Sequence, residues 1–363
     1  MNVPATERQK AARVVVVGAT GNVGTSVVAT LAADPTVASI LGVARRRPQW
    51  SAPRTEWAQA DIERDDLVAL FRGADVVIHL AWLIQPTHSP LITWRANVGG
   101  ALRVFEAVAQ AGVPALVYAS SVGAYSPGPP GEPQGKAVGE EWPTHGWPTA
   151  GYSREKAYLE RSLDAFERTH PDIRVVRLRP GFIVKRESAS QQRRLGIGPL
   201  LPHQLVRPGV VPFVPDLPGL RFQVLHTSDV AQAYRLAALS QARGAFNIAA
   251  EPVVDAAVLA ECLGARVIQV PVWPVRAAVW LAWNLHLVPA SPDLLDVFLR
   301  LPIMDTSRAR TELGWSPRYS SHEAIVELLG GMSDGAGMPT PPLAPTTFGG
   351  RVHELRTGVG SQL

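Results

Sequence analysis

The stretch RVVVVGATGNVG, residues 13–24, constrains the fold more than any other part of this chain. Four successive valines have no polar face to offer water, so the strand they form must be covered on both sides. That is the condition of a parallel sheet packed between two layers of helices. Gly18, Gly21 and Gly24 follow at once, spaced G-x-x-G-x-x-G, and an amphipathic segment over 22–33 starts inside the turn. Glycines permit a tight turn and a close approach of backbone to a ligand, and the free N–H groups of a helix start attract a phosphate. Strand, glycine turn and helix in that order are the context in which such spacing reads as a dinucleotide site.

The alternation continues downstream. ASILGVA (38–44), ADVVIHLA (74–81), PALVYASS (114–121) and IRVVRLRPG (173–181) read as buried strands, with a helix-period segment over 96–112 between two of them. Apolar strands alternating with helices imply βαβ units, hence an α/β, doubly wound parallel sheet. The Pro/Gly-dense stretch 126–148 reads as a long loop of the kind that is usually functional. Past 181 the alternation weakens, and 182–225 reads as loosely structured and folded over a site. TSDVAQAYRLAAL (227–239) is a capped helix and GAFNIA (244–249) a short strand. The expected organisation is a dinucleotide-binding domain over 13–181 plus 222–249, a substrate-binding region over 182–221 and 250–330, and a flexible tail over 331–363.

Composition excludes several classes. Apolar residues make up 46% and charged residues 18%, which is globular. The net charge of +4, from 35 basic and 31 acidic residues, is too small to imply nucleic acid as a partner. A single cysteine, Cys262, rules out a disulfide framework and cysteine-rich zinc motifs, and no metal is expected. The stretch PVRAAVWLAWNLHLV (274–288) is too short, and too interrupted, for stable membrane insertion, and reads as a core or lid helix. With a polar N-terminus, the expectation is a soluble cytoplasmic protein.

Cofactor preference should show at the end of the second strand. An acidic residue there would hold a ribose 2′-hydroxyl. Here Ala44 is followed by Arg45, Arg46 and Arg47, and a guanidinium suits a 2′-phosphate. NADP(H) is therefore favoured, with NAD(H) as the alternative.

In TAGYSREKAYLE (149–160), Tyr152 and Lys156 stand four apart on one helix face. A phenol is a poor acid/base at neutral pH, and a nearby ammonium favours the phenolate. Ser120 and Ser121, at the carboxyl end of a strand, offer a hydroxyl to hold a substrate oxygen, in either of two registers. His79 and His226 read as structural hydrogen-bonding residues, Asp229 as a first-turn helix charge, and Tyr125 as a cleft wall.

In order along the chain, GATGNVG, ADI (60–62), HLAW (79–82), ANVGGALRVFEA, YASSVGAY, YSREK, LRPG, HTSDVAQA and ELGWSP (312–317) resemble the extended branch of the short-chain dehydrogenase/reductase superfamily, the NAD(P)-dependent epimerase/dehydratase family. The resemblance covers roughly residues 13–325. It implies a Rossmann fold, Tyr152 as acid/base, Lys156 as its ribose-binding partner, Ser121 as the substrate-oxygen serine with Ser120 as alternate, and Asn97 supporting the lysine. It implies cofactor contacts from Gly18, Thr20, Gly21, Asn22, Val23 and Gly24, from Asp61 and Ile62, from Leu80, Ala81 and Trp82, and from Pro180 and Gly181. Trp82, Ser120, Ser121 and Val122 would meet a small-molecule substrate, and helices 96–112 and 151–169 would pair in a homodimer.

Two departures from the family pattern stand out. Ser126 replaces the glycine common after Tyr125, and RPGFIVKRES lacks the asparagine that commonly addresses a nucleotide-sugar diphosphate. The expected activity is an NAD(P)-dependent oxidoreductase acting by hydride transfer at a carbinol or carbonyl carbon. The rivals are a sugar-nucleotide epimerase with tightly held NAD and a non-catalytic dinucleotide-sensing protein.

Overall fold

The computed structural model describes residues 11–85, 88–128, 136–196 and 209–345. Its strands, in chain order, are β1 (Ala12–Val17), β2 (Val37–Ala44), β3 (Thr55–Gln59), β4 (Val76–His79), β5 (Ala115–Ala119), β6 (Arg174–Pro180), β7 (Phe182–Val184), β8 (Phe213–Asp216), β9 (Val224–His226), β10 (Gly244–Ile248) and β11 (Arg266–Gln269). Seven of them form one parallel sheet in the order β10-β6-β5-β4-β1-β2-β3. The strand order reverses between β1 and β4, and a crevice opens outside the carboxyl ends of strands at such a point.

The period of two along β1 decides how the layers pack. Val14 and Val16 face α1 (Asn22–Ala33) and α7 (Thr227–Leu239), meeting Val27, Leu31 and Tyr234. Val15 and Val17 face the opposite layer, α2 (Leu67–Phe71), α4 (Gly100–Gln110) and α5 (Gly151–Thr169), meeting Phe71, Val104 and Leu159. Four consecutive valines are thus shared between two cores, as the doubly wound reading requires. The remaining helices are α3 (Pro90–Trp94), which runs through a π-turn at Arg95–Gly99 into α4, then α6 (Ala189–Gly196), α8 (Ala256–Leu263), α9 (Val272–Asn284), α10 (Pro292–Phe298), α11 (Ser307–Glu312) and α12 (Ser321–Asp334).

Strand β6 carries three arginines in a buried setting, and the same period explains them. Arg174 points to the α7 layer and donates to the carbonyls of Ala237 and Ala238, which end that helix. Arg177 and Arg179 point to the α5 layer and pair with Glu160. Each buried guanidinium has acceptors, as a buried charge must.

Three expectations change. Segment 182–196, read as loosely structured, holds β7 and α6, while 197–208 lie outside the described residues. The tail reading fails for 331–345. Residues 331–334 complete α12, Gly335 caps it in the left-handed region, and Leu343 is fully buried beyond it. Residues 346–363 lie outside the described residues. Finally, α9 buries none of its residues, and Trp273 is 75% exposed, so it is no core helix. It lies over other elements instead, with Arg276 paired to Asp296 of α10 and Trp283 stacked on His88 at 4.0 Å between centroids. Among the described residues no helix is long and apolar enough to cross a membrane.

Candidate active site

The crevice at the β1/β4 reversal is a cleft built from the ends of those strands. Leu80 N–H donates to Val17 O at 2.8 Å, drawing the two loops together. Gly18 sits at φ +85°, and a Cβ there would lie 2.5 Å from Ala81 N. A Cβ on Gly24 would overlap the Gly18 carbonyl oxygen, so these two glycines are required by the chain's own packing. Gly21 differs. It has an ordinary negative φ, and its nearest obstacle is 3.5 Å away, so nothing in the chain itself demands glycine there. It caps α1 without a side-chain hydrogen bond, and the first turn of α1 carries no acidic residue. The turn leaves room and positive helix-end character where an anion would approach.

Of the expected cofactor contacts, Gly18, Thr20, Gly21, Arg45, Arg46, Asp61, Ile62, Leu80, Ala81, Trp82 and Asn97 line this cleft. Others do not. Asn22 turns away, donating to Ile183 O and accepting from Thr227, so it ties the turn to β7 and α7. Val23 packs against the α1-side core, and Gly24 is taken up by its contact with Gly18. Pro180 ends β6, and Gly181 is held by its N–H to Ile248 O; neither is a cleft wall. Arg45 and Arg46 are exposed and make no ion pair or hydrogen bond among the described residues, whereas Glu63 on the same cleft is paired with Arg95.

The Tyr152–Lys156 face of α5 meets the end of β5 beside the cleft. Tyr152 and the Ser121 hydroxyl both border Gly123: a Cβ there would lie 2.8 Å from Tyr152 Cε1 and 3.5 Å from Ser121 Oγ, and the Gly123 N–H donates to that hydroxyl at 3.0 Å. Ser120 points elsewhere, donating to Glu160 Oε1 at 2.5 Å. The two registers left open by the sequence are therefore distinguished: Ser121 faces the phenol and Ser120 does not. Val122 is buried against Tyr125, Ala249 and Met304. Tyr125 itself is held by Arg179 and Asn247, a structural post more than a wall.

Lys156 is buried and turned away from the phenol. Its Nζ donates to Ala119 O at 2.6 Å and lies 3.4 Å from the centre of the Trp82 indole. Burial pulls its pKa down to about 7, with Glu155 and Glu160 opposing. Burial raises the Tyr152 pKa, partly offset by the nearby Ser121 hydroxyl. The Trp82 ring also meets Tyr152 edge-on at 5.6 Å, so one indole touches both groups. Asn97 does not reach the lysine. Its amide bridges the Leu83 backbone, in both directions, and Glu155 Oε2 at 2.7 Å.

Two carboxylates here escaped sequence reasoning. Glu155 is buried between Thr93 and Asn97, and burial raises its pKa. Glu160 is fully buried. Burial opposes its charge, yet Arg179, then Arg177 and Ser120, hold its pKa down to about 2. A signal existed for Glu160, since 152, 156 and 160 repeat at i+4 on one face. His226 is structural, meeting Ser228 and Glu327. His79 is not the hydrogen-bonded residue expected. Both ring nitrogens lack partners between Phe105 and Tyr118, and burial, then the Lys156 charge, holds its pKa near 3. Asp229, on the first turn of α7, accepts from Tyr319 N–H, while its carbonyl takes the Trp315 indole N–H.

Comparison with known proteins follows this geometry. An uncharacterized protein of Mycobacterium tuberculosis is 26% identical over 333 residues, covering 88% of this chain and 83% of that protein. The L-arabinose 1-dehydrogenase (NAD(P)(+)) of Haloferax volcanii is 34% identical over 111 residues, covering 30% of this chain and 41% of the enzyme. Among solved structures, MoeE5 in complex with UDP-glucuronic acid and NAD superposes with a TM-score of 0.62 at 23% identity, covering 89% of this chain and 99% of that one. The UDP-glucose 4-epimerase of Thermus thermophilus in complex with NAD gives 0.63 at 20% identity, covering 88% and 98%. At these identities the structural likeness is one of fold. Residues 14–249 match the model of one family. The chain belongs to the NAD dependent epimerase/dehydratase family.

Proposed function

We propose that the protein is a nicotinamide-dinucleotide-dependent oxidoreductase acting at a carbinol or carbonyl carbon, with Tyr152 as acid/base. The observation that carries this is the meeting of Tyr152 and Ser121 at Gly123, at the carboxyl end of β5, beside a cleft walled by Gly18 and Gly21. The fit of a dinucleotide rests on Gly21, the cleft glycine that the chain's own packing does not require. The Gly18–Gly21 turn and the start of α1 would take the pyrophosphate. Asp61 and Ile62 would take the adenine, and Lys156, once off the Trp82 ring, the nicotinamide ribose. Bound there, the dinucleotide supplies or accepts the hydride. Tyr152 passes the hydroxyl proton to or from the substrate oxygen, and Ser121 donates a hydrogen bond to that oxygen as charge develops on it.

Arg45 and Arg46, exposed on the cleft, support NADP(H) over NAD(H). The NAD named with the solved relatives argues the other way, and affinity measurement decides between them.

A second reading, a sugar-nucleotide epimerase with tightly held NAD, draws on the UDP-glucuronic acid and UDP-glucose named with MoeE5. The sequence RPGFIVKRES weighs against it, because it lacks the asparagine that commonly addresses a nucleotide-sugar diphosphate. Screening ketones, secondary alcohols and nucleotide sugars for NAD(P)H-linked turnover tests both. A nicotinamide that stays with the protein through gel filtration supports the epimerase, and turnover undiminished in Tyr152→Phe refutes the proton-transfer role.

A further inference from the structure

The cleft has walls that the glycine turn and strand ends do not supply. Gln191 of α6 and Pro341 and Pro342, beyond the last helix, face the same space as Gly18, Thr20 and Arg46. These prolines lie outside the span matched to the family, which ends at 249.

The local chemistry explains how they come to be there. Gly335 ends α12 in the left-handed region, with its N–H on Gly331 O and Met332 O, and Ala336 N–H also donates to Gly331 O. The chain then doubles back. Met338 N–H donates to Leu343 O at 2.9 Å, and Leu343 N–H to Thr340 O at 3.1 Å. This closes a compact loop with Pro341 and Pro342 at its tip, where two fixed φ angles limit the shapes available. A Cβ on Gly337 would overlap Leu343 O, so the closure requires glycine at its start.

The loop is fastened to α6. Arg194 donates to Pro342 O at 2.8 Å and Ala344 O at 2.9 Å, a two-pronged grip on the tip. Ser190 bonds the carbonyls of Gly335 and Ala336. Leu343 is fully buried. The fastening helix also presents Gln191 to the cleft. Segment 335–345 and α6 thus form one unit that lines the same cleft as Arg45 and Arg46.

We propose that residues 335–345 are a strap that walls the dinucleotide cleft and retains the cofactor, with Gln191 as an additional cofactor contact. This rests on the reading of the cleft as a dinucleotide site. A bound dinucleotide would be covered by Pro341 and Pro342, and its release would require the strap to part from Arg194. The contacts that Pro341, Pro342 and Gln191 would make with the ligand exist only in the bound state, so they act on dissociation more than on association.

NADPH and NADH binding and release are measured by fluorescence and stopped-flow on the full chain, on Arg194→Ala, on Gln191→Ala, and on a chain ending at Gly335. Thermal melting checks each fold, and Arg194→Ala serves if the shortened chain does not fold. The expected result is at least tenfold faster release in Arg194→Ala and in the shortened chain, with association changed less than threefold, and several-fold weaker binding in Gln191→Ala. Release within twofold of the full chain, or tighter binding after shortening, overturns the strap while leaving the cleft's ligand standing. If the full chain binds neither dinucleotide, the reading of the cleft falls and the strap's role falls with it.

Discussion

The ammonium of Lys156 rests 3.4 Å from the centre of the Trp82 indole, although Tyr152 stands one helical turn away on the same face. The lysine is thus held between a carbonyl oxygen and an aromatic ring. Trp82→Phe keeps a ring with less cation–π attraction, and is expected to strengthen dinucleotide binding several-fold. Weaker binding in a titration of that variant would show instead that the indole holds the cofactor.

Burial places the Lys156 pKa at about 7 before any ligand arrives. A ligand that uses the ammonium raises that pKa, so binding takes up a proton when the pH lies above 7. Affinity should then be highest below pH 7 and fall as the pH rises through and beyond it. Calorimetry in buffers of different ionisation enthalpy reads the proton directly, and Lys156→Met should abolish the uptake.

Tyr152→Phe removes the phenol oxygen and leaves the ring against Trp82. Turnover should fall by about 10²-fold or more, with dinucleotide affinity within threefold of the parent. Steady-state kinetics beside a binding titration separates the two quantities.

The glycines of the turn should part company under mutation. Gly24→Ala forces a Cβ into the Gly18 carbonyl and should cost about 1–3 kcal/mol or more of stability. Gly21→Ala should melt like the parent, yet bind dinucleotide at least tenfold more weakly. Equal loss of stability in both would mean that Gly21 is also structural.

Arg45→Ala with Arg46→Ala removes two exposed guanidinium groups from the cleft. Hydrogen bonds to charged groups contribute about 1.5–3 kcal/mol each, so NADPH affinity should fall at least tenfold while NADH affinity holds within twofold. Unchanged NADPH affinity would refute the 2′-phosphate assignment.

How much of this was legible in the sequence depends on distance along the chain. The valine run, the glycine turn and the i, i+4 pair are local, and each carries its own physical rule. Contacts between distant segments left weaker marks. The arginines of β6 look like surface charge until Glu160 and the α7 carbonyls are brought to them. The prolines at 341 and 342 look like a loose tail until Arg194 is seen to grip their loop. In α9, the Trp/Leu-rich composition left a core helix and a lid helix both open, and the structure leaves none of its residues buried. Pattern tells what a helix prefers and not how many neighbours the fold provides.

Ser120 and Ser121 carry the same hydroxyl, and what stands behind each one separates them. Glu160 claims the first, leaving the second to Tyr152. Its folded pKa of about 2 lies below the ordinary 4.5, so its stabilisation is present above about pH 4.5 and fades as the pH drops toward 2. Glu160→Gln would leave Arg177 and Arg179 short of a buried partner, at about 3–5 kcal/mol. It would also loosen the hold on the Ser120 hydroxyl, one residue from the donor the substrate is meant to find. A substitution at position 160, which does not line the cleft, would therefore be felt at the neighbouring hydroxyl.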